Sequence, residues 1–228
     1  MTENNILKTI YPSVVTYAGN WRKMVGEVKK LRLKEISLFL TGAGVNERKK
    51  IYAELAKTSV KRIPHVHARH DMKQEEFSLL VNTYKTRAFT IHYQFIPCFK
   101  NSKYRKIIFS ENNYRPREIS ELKMIALIGG ICVDLSHFEQ FRRHTPKLDE
   151  VYQIAQKMYK VGCNHISAVQ DNGWSRHYAR DKHEFDYLSA IPKKFFSKYL
   201  NIELANPIRE QLEFKKYIAG LLFKAWNK

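Results

Sequence analysis

The chain is short of acid: among 228 residues, 22 are Asp or Glu against 40 Lys or Arg, for a formal net charge of +18. That excess points to an anionic partner, whether nucleic acid, an anionic membrane surface or a phosphorylated substrate. The sequence also lacks any apolar run near the ~20 residues of a membrane span. Its start, MTENNILKTI, has no basic region followed by an apolar stretch, so neither a secretory leader nor membrane association is expected. Cys98, Cys132 and Cys163 are odd in number, widely spaced and form no CxxC. A disulfide framework or a structural zinc module is therefore unsupported, and a reducing, cytoplasmic setting is the expectation. No internal repeat, low-complexity tract or linker is visible, so residues 1–228 are expected to form one domain.

What is present is enough apolar material for a core: 44% hydrophobic and 13% aromatic residues exclude a disordered chain. Short apolar runs bounded by polar residues predict eight strands, at Ile6–Val15, Ile36–Leu40, Arg62–His67, Ala88–His92, Lys106–Glu111, Ile131–Asp134, His165–Val169 and Leu200–Leu204. Helical patterns lie between them, at Glu47–Lys57, Gln74–Tyr84, Leu148–Tyr159 and Pro207–Trp226, the last opened by Asn206-Pro207 as a cap and first-turn pair. Eight strands alternating with helices predict an α/β fold, a single (β/α)8 TIM barrel.

The strand ends carry the chemistry. The third predicted strand ends in His65-Val-His67 and the fourth in His92; the fifth ends in Glu111, and the sixth in Asp134 with His137 one turn on. His165 lies on the seventh, Asp181 and His183 in the loop after it, and Glu203 on the eighth. Barrels build their sites where the βα loops converge at the C-terminal rim. Imidazole and carboxylate together suit Zn²⁺ or Mn²⁺, and a set this rich has room for one to three ions. A single His near a strand end is more often a structural group. Several carboxylates with imidazoles at one barrel mouth are costly to bury unless paired or metal-bound.

These segments resemble the xylose-isomerase-like TIM-barrel superfamily, which includes the endonuclease IV family, the UV-damage endonucleases and many sugar isomerases and epimerases. ICVDLSHF resembles the Asp-x-x-His segment of endonuclease IV; HISAVQ with the later DKHE, and NIELANP, resemble its motifs at the seventh and eighth strands, although the last reads Ala-Asn in place of Thr-Pro. FSENN and HEFDYL are similar to segments of the UV-damage endonucleases. The resemblance implies that Glu111 bridges two ions. One would be held with His92 and either His65 or His67, which share a strand face; a second by Asp134, His165 and Glu203; and a third by His137, Asp181 and His183.

The third set favours metal-dependent phosphodiester hydrolysis on DNA, with Glu111 and Glu203 at the reaction centre. Arg69, Arg115, Arg142, Arg176 and Arg180 follow the strand ends and would contact phosphates, with Trp174 and Tyr178 available for stacking. The alternative implied by the same superfamily is a sugar or sugar-phosphate isomerase or epimerase. It would hold one ion with a strand-end Glu, Asp, His and Glu, and move a proton through Glu111 and Glu203. Gly129-Gly130 reads as a turn.

Overall fold

The computed structural model describes residues 2–113 and 119–227. Its centre is a parallel sheet whose two edges are joined by one interrupted strand, β1. The first half of β1, Ile10–Tyr11, pairs with the last barrel strand, and the second half, Ser13–Val15, pairs with the next. Pro12 between them has no N–H to give, but its carbonyl still accepts from Ser37 N at 2.8 Å. The other barrel strands are β2 (Ser37–Phe39), β3 (His65–His67), β4 (Ala88–His92), β5 (Ile108–Glu111), β6 (Gly130–Asp134), β7 (Val161–Ile166) and β8 (Leu200–Ile202). Each pairs in parallel with the next in sequence, and the expected (β/α)8 TIM barrel results.

Helices on the outside cover the apolar side of the strands. Gln74–Tyr84 is helical as expected and buries Phe77 and Leu80, while Val45–Ala56 buries Ile51 and Leu55. Arg48 on the latter is fully buried, because its guanidinium meets Glu76 at 2.8 Å, Asp71 at 2.8 Å and the Ala43 carbonyl. That cation ties two outer helices together.

Strand alternation sorts the interior into layers. Ala88, Phe109, Cys132 and Cys163 form an apolar layer near the strand starts. Two residues further along the same strands stand Thr90, Glu111, Asp134 and His165, all buried. The same spacing separates His65 from His67 and Asn201 from Glu203. The strands from β3 to β8 therefore plug the barrel with one residue and offer a later inward one to the C-terminal mouth; on β4, Thr90 stays beneath with His65 and His92 takes that place.

Four local expectations need correction. Ile6 belongs to the helix Glu3–Leu7, not to the first strand, which starts at Ile10. The seventh strand is Val161–Ile166, so His165 sits near its end rather than its start. Asn206-Pro207 is not a cap and first-turn pair. Pro207 itself holds the cap position of Ile208–Trp226, and the Asn206 side chain bonds both backbone groups of Ala179. Gly129 and Gly130 are more than a turn. A Cβ on Gly129 would lie 2.5 Å from the Lys106 carbonyl oxygen, and one on Gly130, at φ +134°, 2.3 Å from that of Lys160.

Candidate metal centre

Among the described residues, the buried ligand-type atoms without a hydrogen-bond partner include five at the barrel mouth: His67 Nε2, Glu111 Oε2, Asp134 Oδ2, His165 Nδ1 and Glu203 Oε2. All five belong to inward-facing residues at the ends of β3, β5, β6 and β7 and just after β8. One set of atoms from His67, Glu111 and His165, and another from Glu111, Asp134, His165 and Glu203, each lie within 4.8 Å of one another. Unpaired buried polar atoms are expensive, and a cation is the partner that carboxylates and imidazoles share. The residues present therefore fit a divalent metal ion.

Glu111 stands between two groups of imidazoles. Its Oε2 is 3.5 Å from His67 Nε2 and 3.6 Å from His92 Nε2, whereas its Oε1 is 3.6 Å from His165 Nδ1 and 3.7 Å from His137 Nε2. On the second side, Asp134 Oδ2 lies 3.9 Å from both His137 and His165, and Glu203 Oε2 lies 3.2 Å from His165 Nδ1.

The local sequence explains how these atoms are aimed. Asp134 ends β6 and caps the helix Leu135–His144. Its Oδ1 accepts from Ser136 N, His137 N and Ser136 Oγ, which leaves Oδ2 for the cavity. Asn112 grips the Asp134 backbone through both its amide atoms, at 2.6 and 3.0 Å. His137, three residues into the turn, is brought back over Asp134. Its Nδ1 meets Ser175 Oγ at 3.2 Å, and that hydroxyl donates to Gln140 at 2.8 Å. Ser175 must then accept from His137, which puts the proton on Nδ1 and leaves the Nε2 lone pair facing Glu111.

Burial depresses the His67 imidazole well below its ordinary range, despite the attraction of Glu111, so it is a neutral donor of a lone pair. Burial pushes His165 the same way, but Glu203 and Glu111 outweigh it and hold this imidazole well above its ordinary range. Burial would raise Glu111, yet His165 and His67 bring it well below the usual carboxylate range.

The structure separates the expected residues into groups. His65 and His67 both point inward, but only His67 reaches the carboxylates. His65 lies beneath, its Nε2 at 2.8 Å from Thr90 Oγ1 and 3.3 Å from His165 Nε2. Asp181 and His183 join neither group of ligand atoms. Asp181 accepts from His183 N at 2.7 Å as the cap of Lys182–Ala190, and exposed His183 turns its Nδ1 to Asp186 and Tyr217 OH, each at 3.1 Å. The third metal set is therefore not assembled: His137 turns to Glu111, and its implied partners lie on an outward-facing loop.

The expected phosphate contacts are mostly engaged with acid. Arg142 and Arg143 both bond Glu139, Arg176 bonds Glu184 at 3.0 Å, and Arg69 lies 3.8 Å from Asp71. Arg69 also lines a basin beside His92, and Arg176 and Arg180 line a groove with Asp181 and His183. Arg115 lies outside the described residues.

His177 was not anticipated. It sits just beyond a hairpin formed by Ala168–Val169 and Ser175–Arg176, with Nδ1 3.1 Å from Ser167 Oγ and 4.0 Å from Glu203 Oε1. Burial would lower its pKa, but Glu203 and Asp134 raise it. Its signal was available as the one histidine between His165 and Asp181, close after an Asn172-Gly173 turn pair whose glycine takes a φ of +84° in the hairpin.

No family model and no curated protein matches the chain. Solved structures do, and two of them align over nearly the whole chain. One, described as "Putative Xylose isomerase", from Rhodospirillum rubrum ATCC 11170, aligns over 95% of this chain and 98% of its own at 12% identity, with a TM-score of 0.52. A xylose isomerase domain protein from Alicyclobacillus acidocaldarius subsp. acidocaldarius aligns over 96% and 100% at 11% identity, with a TM-score of 0.50. The fold is a TIM barrel similar to that of these two structures. At this identity the likeness carries the fold alone. The site rests on the buried His, Glu and Asp atoms, and among the described residues no helix is long and apolar enough to cross a membrane.

Proposed function

We propose that the protein is a divalent-metal-dependent hydrolase of phosphodiesters, acting on DNA at a two-ion centre built across Glu111. The observation that carries this reading is the division of the Glu111 carboxylate, one oxygen toward His67 and His92 and the other toward His137 and His165. A centre for one ion has no use for the first pair of imidazoles. On this reading His67, His92 and Glu111 hold one ion, and Glu111, Asp134, His165 and Glu203 hold the other. When bound, Zn²⁺ or Mn²⁺ supplies charge against the phosphoryl oxygens and lowers the pKa of water. The chain's own contribution is orientation and proton handling. Arg69, beside His92, holds a phosphate of the backbone. His177, fixed through Ser167 and partly exposed, gives a proton to the leaving oxygen. The +18 charge supports a polyanionic substrate.

A single-ion sugar isomerase or epimerase is the second reading, favoured by one observation. Glu111, Asp134, His165 and Glu203 already form a compact four-ligand group, and the two structural neighbours are described as a "Putative Xylose isomerase" and a xylose isomerase domain protein. One set of measurements separates the two. Elemental analysis of purified protein should give two ions per chain, falling to one in His67→Ala. Metal-loaded protein should nick duplex DNA carrying abasic or UV lesions, and Glu111→Gln should not. One ion per chain in both proteins, with no nicking on any lesion, would replace the hydrolase by the isomerase.

A further inference from the structure

The barrel has a second mouth, at the strand starts, and its chemistry is the reverse of the first. A cavity of about 470 Å³ opens there, ringed by Arg87, Lys106, Lys160 and Lys198 and backed by Phe109 and Tyr199. Arg87 immediately precedes β4 and Lys160 immediately precedes β7; Lys106 and Lys198 each stand two residues before β5 and β8. All four are exposed, and no carboxylate lines the cavity. None of the four is in an ion pair among the described residues, whereas Arg48, Arg62, Arg142, Arg143 and Arg176 each hold an acid. Like charges gathered without counter-charge repel one another, and an anion bound between them relieves that repulsion.

The backbone holds this ring in place. Gly129 precedes β6 and Gly130 opens it, and a side chain at either would strike the carbonyl of Lys106 or Lys160. Their absence of side chains lets the two lysine-bearing turns close on β6 from both sides. Arg87 N donates to the Pro64 carbonyl at 3.0 Å. Buried Asn164 accepts from Ser197 N at 2.6 Å, and Asn201 donates to the Tyr199 carbonyl at 3.1 Å, which fixes the turn that presents Lys198. A Cβ on Gly162 would lie 2.1 Å from the Phe109 ring, so that glycine gives the ring its place at the floor.

We infer that this N-terminal mouth binds a small anion carrying several phosphate groups, separately from the metal chemistry at the opposite mouth. Cations spread around a concave basin suit a compact oligophosphate, whereas a nucleic-acid backbone needs a stripe of them. Arg and Lys heads donate charge-assisted hydrogen bonds to phosphate oxygens. Inorganic tripolyphosphate is the probe.

Isothermal titration near physiological salt, where weak surface attraction is screened, should show one tripolyphosphate per chain. Glu111→Gln should bind it unchanged, which separates this site from the metal centre. The double variant Lys106→Gln/Lys160→Gln, which alters exposed side chains only and should keep the wild-type melting temperature, should bind at least about tenfold more weakly. Lys198→Gln alone should show a smaller loss. Equal binding by the double variant, loss of binding in Glu111→Gln, or no binding by wild type would overturn the inference. So would a duplex oligonucleotide that depends on Lys106 and Lys160 where tripolyphosphate does not bind.

Discussion

Asp134 and Asp181 begin alike and end differently. Each caps the helical segment that follows it, each accepts from the backbone N–H of a nearby histidine, and each was expected to hold an ion, Asp134 with His165 and Glu203 and Asp181 with His137 and His183. Asp134 is buried, with Oδ2 unpaired and turned toward Glu203 and His165 across the barrel. Asp181 is exposed, and His183 beside it turns to Asp186 and Tyr217 on the outer surface. The motif is the same, but the platform is not. Asp134 ends a barrel strand, so the pleat dictates that its side chain points inward. Asp181 ends a loop, and nothing in the sheet directs it.

The sharpest way to test that contrast is to neutralise each acid without removing its cap. Asparagine caps helices about as well as aspartate, so Asp134→Asn should fold and melt near the wild-type temperature. Its metal affinity should still fall by more than about 100-fold, because even residues behind a ligand are worth 10–100-fold. Metal titration by calorimetry reads this directly, and an unchanged affinity would remove Asp134 from the centre.

A smaller effect is expected one layer down. His65 touches His165 Nε2 and leaves Nδ1 free to face the carboxylates. His65→Gln should lower metal affinity by about 10–100-fold, as for other groups that orient a ligand, without changing the number of ions bound. A lost ion would make His65 a ligand in place of His67.

The strand-borne part of the site is also the part where buried charges hold one another against burial, and this gives a pH signature. In the metal-free protein His165 has its pKa raised above the unfolded value. A group of that kind adds stability that is fully present below about pH 6.5 and is lost as pH rises through the folded pKa. His65 and His67 are shifted the other way, but above pH 6.5 they are neutral in both states and add no slope. Metal-free protein should therefore lose stability above neutrality, by up to about 1.4 kcal/mol per pH unit. Metal-loaded protein should gain over the same range, because the ion displaces that proton. Parallel melting curves with and without chelator check the crossing of the two slopes.

The same distinction explains what could be read from the sequence. His67, Glu111, Asp134, His165 and Glu203 were legible because a strand of period two leaves little choice about direction, and the end of a barrel strand has a known place. The choice between His65 and His67 was not legible, since both face inward and only depth separates them. The start of β7 was missed because Gly162, Cys163 and Asn164 carry little strand signal. Asn164 is spent on bonds to Val133, Phe195 and Ser197 that no local pattern announces. The hairpin before His177 is announced by Asn172-Gly173, but the way His177 turns beyond it, and the course of the loop bearing Asp181 and His183, are tertiary outcomes.

The smallest expected effect is the most informative about that outcome. Asp181→Asn keeps the cap of Lys182–Ala190 and removes an exposed charge, and His183→Gln removes an imidazole whose contacts are with Asp186 and Tyr217. Neither residue touches Glu111, Asp134 or His165 among the described contacts. Each variant should leave ion count and metal affinity unchanged, and stability should move by no more than about 1 kcal/mol, as for an exposed pair. Should either variant lose an ion, the loop must swing inward when metal binds. Asp181 and His183 would then rejoin His137 as a third set of ligands, and the strand would no longer be the only platform that builds this site.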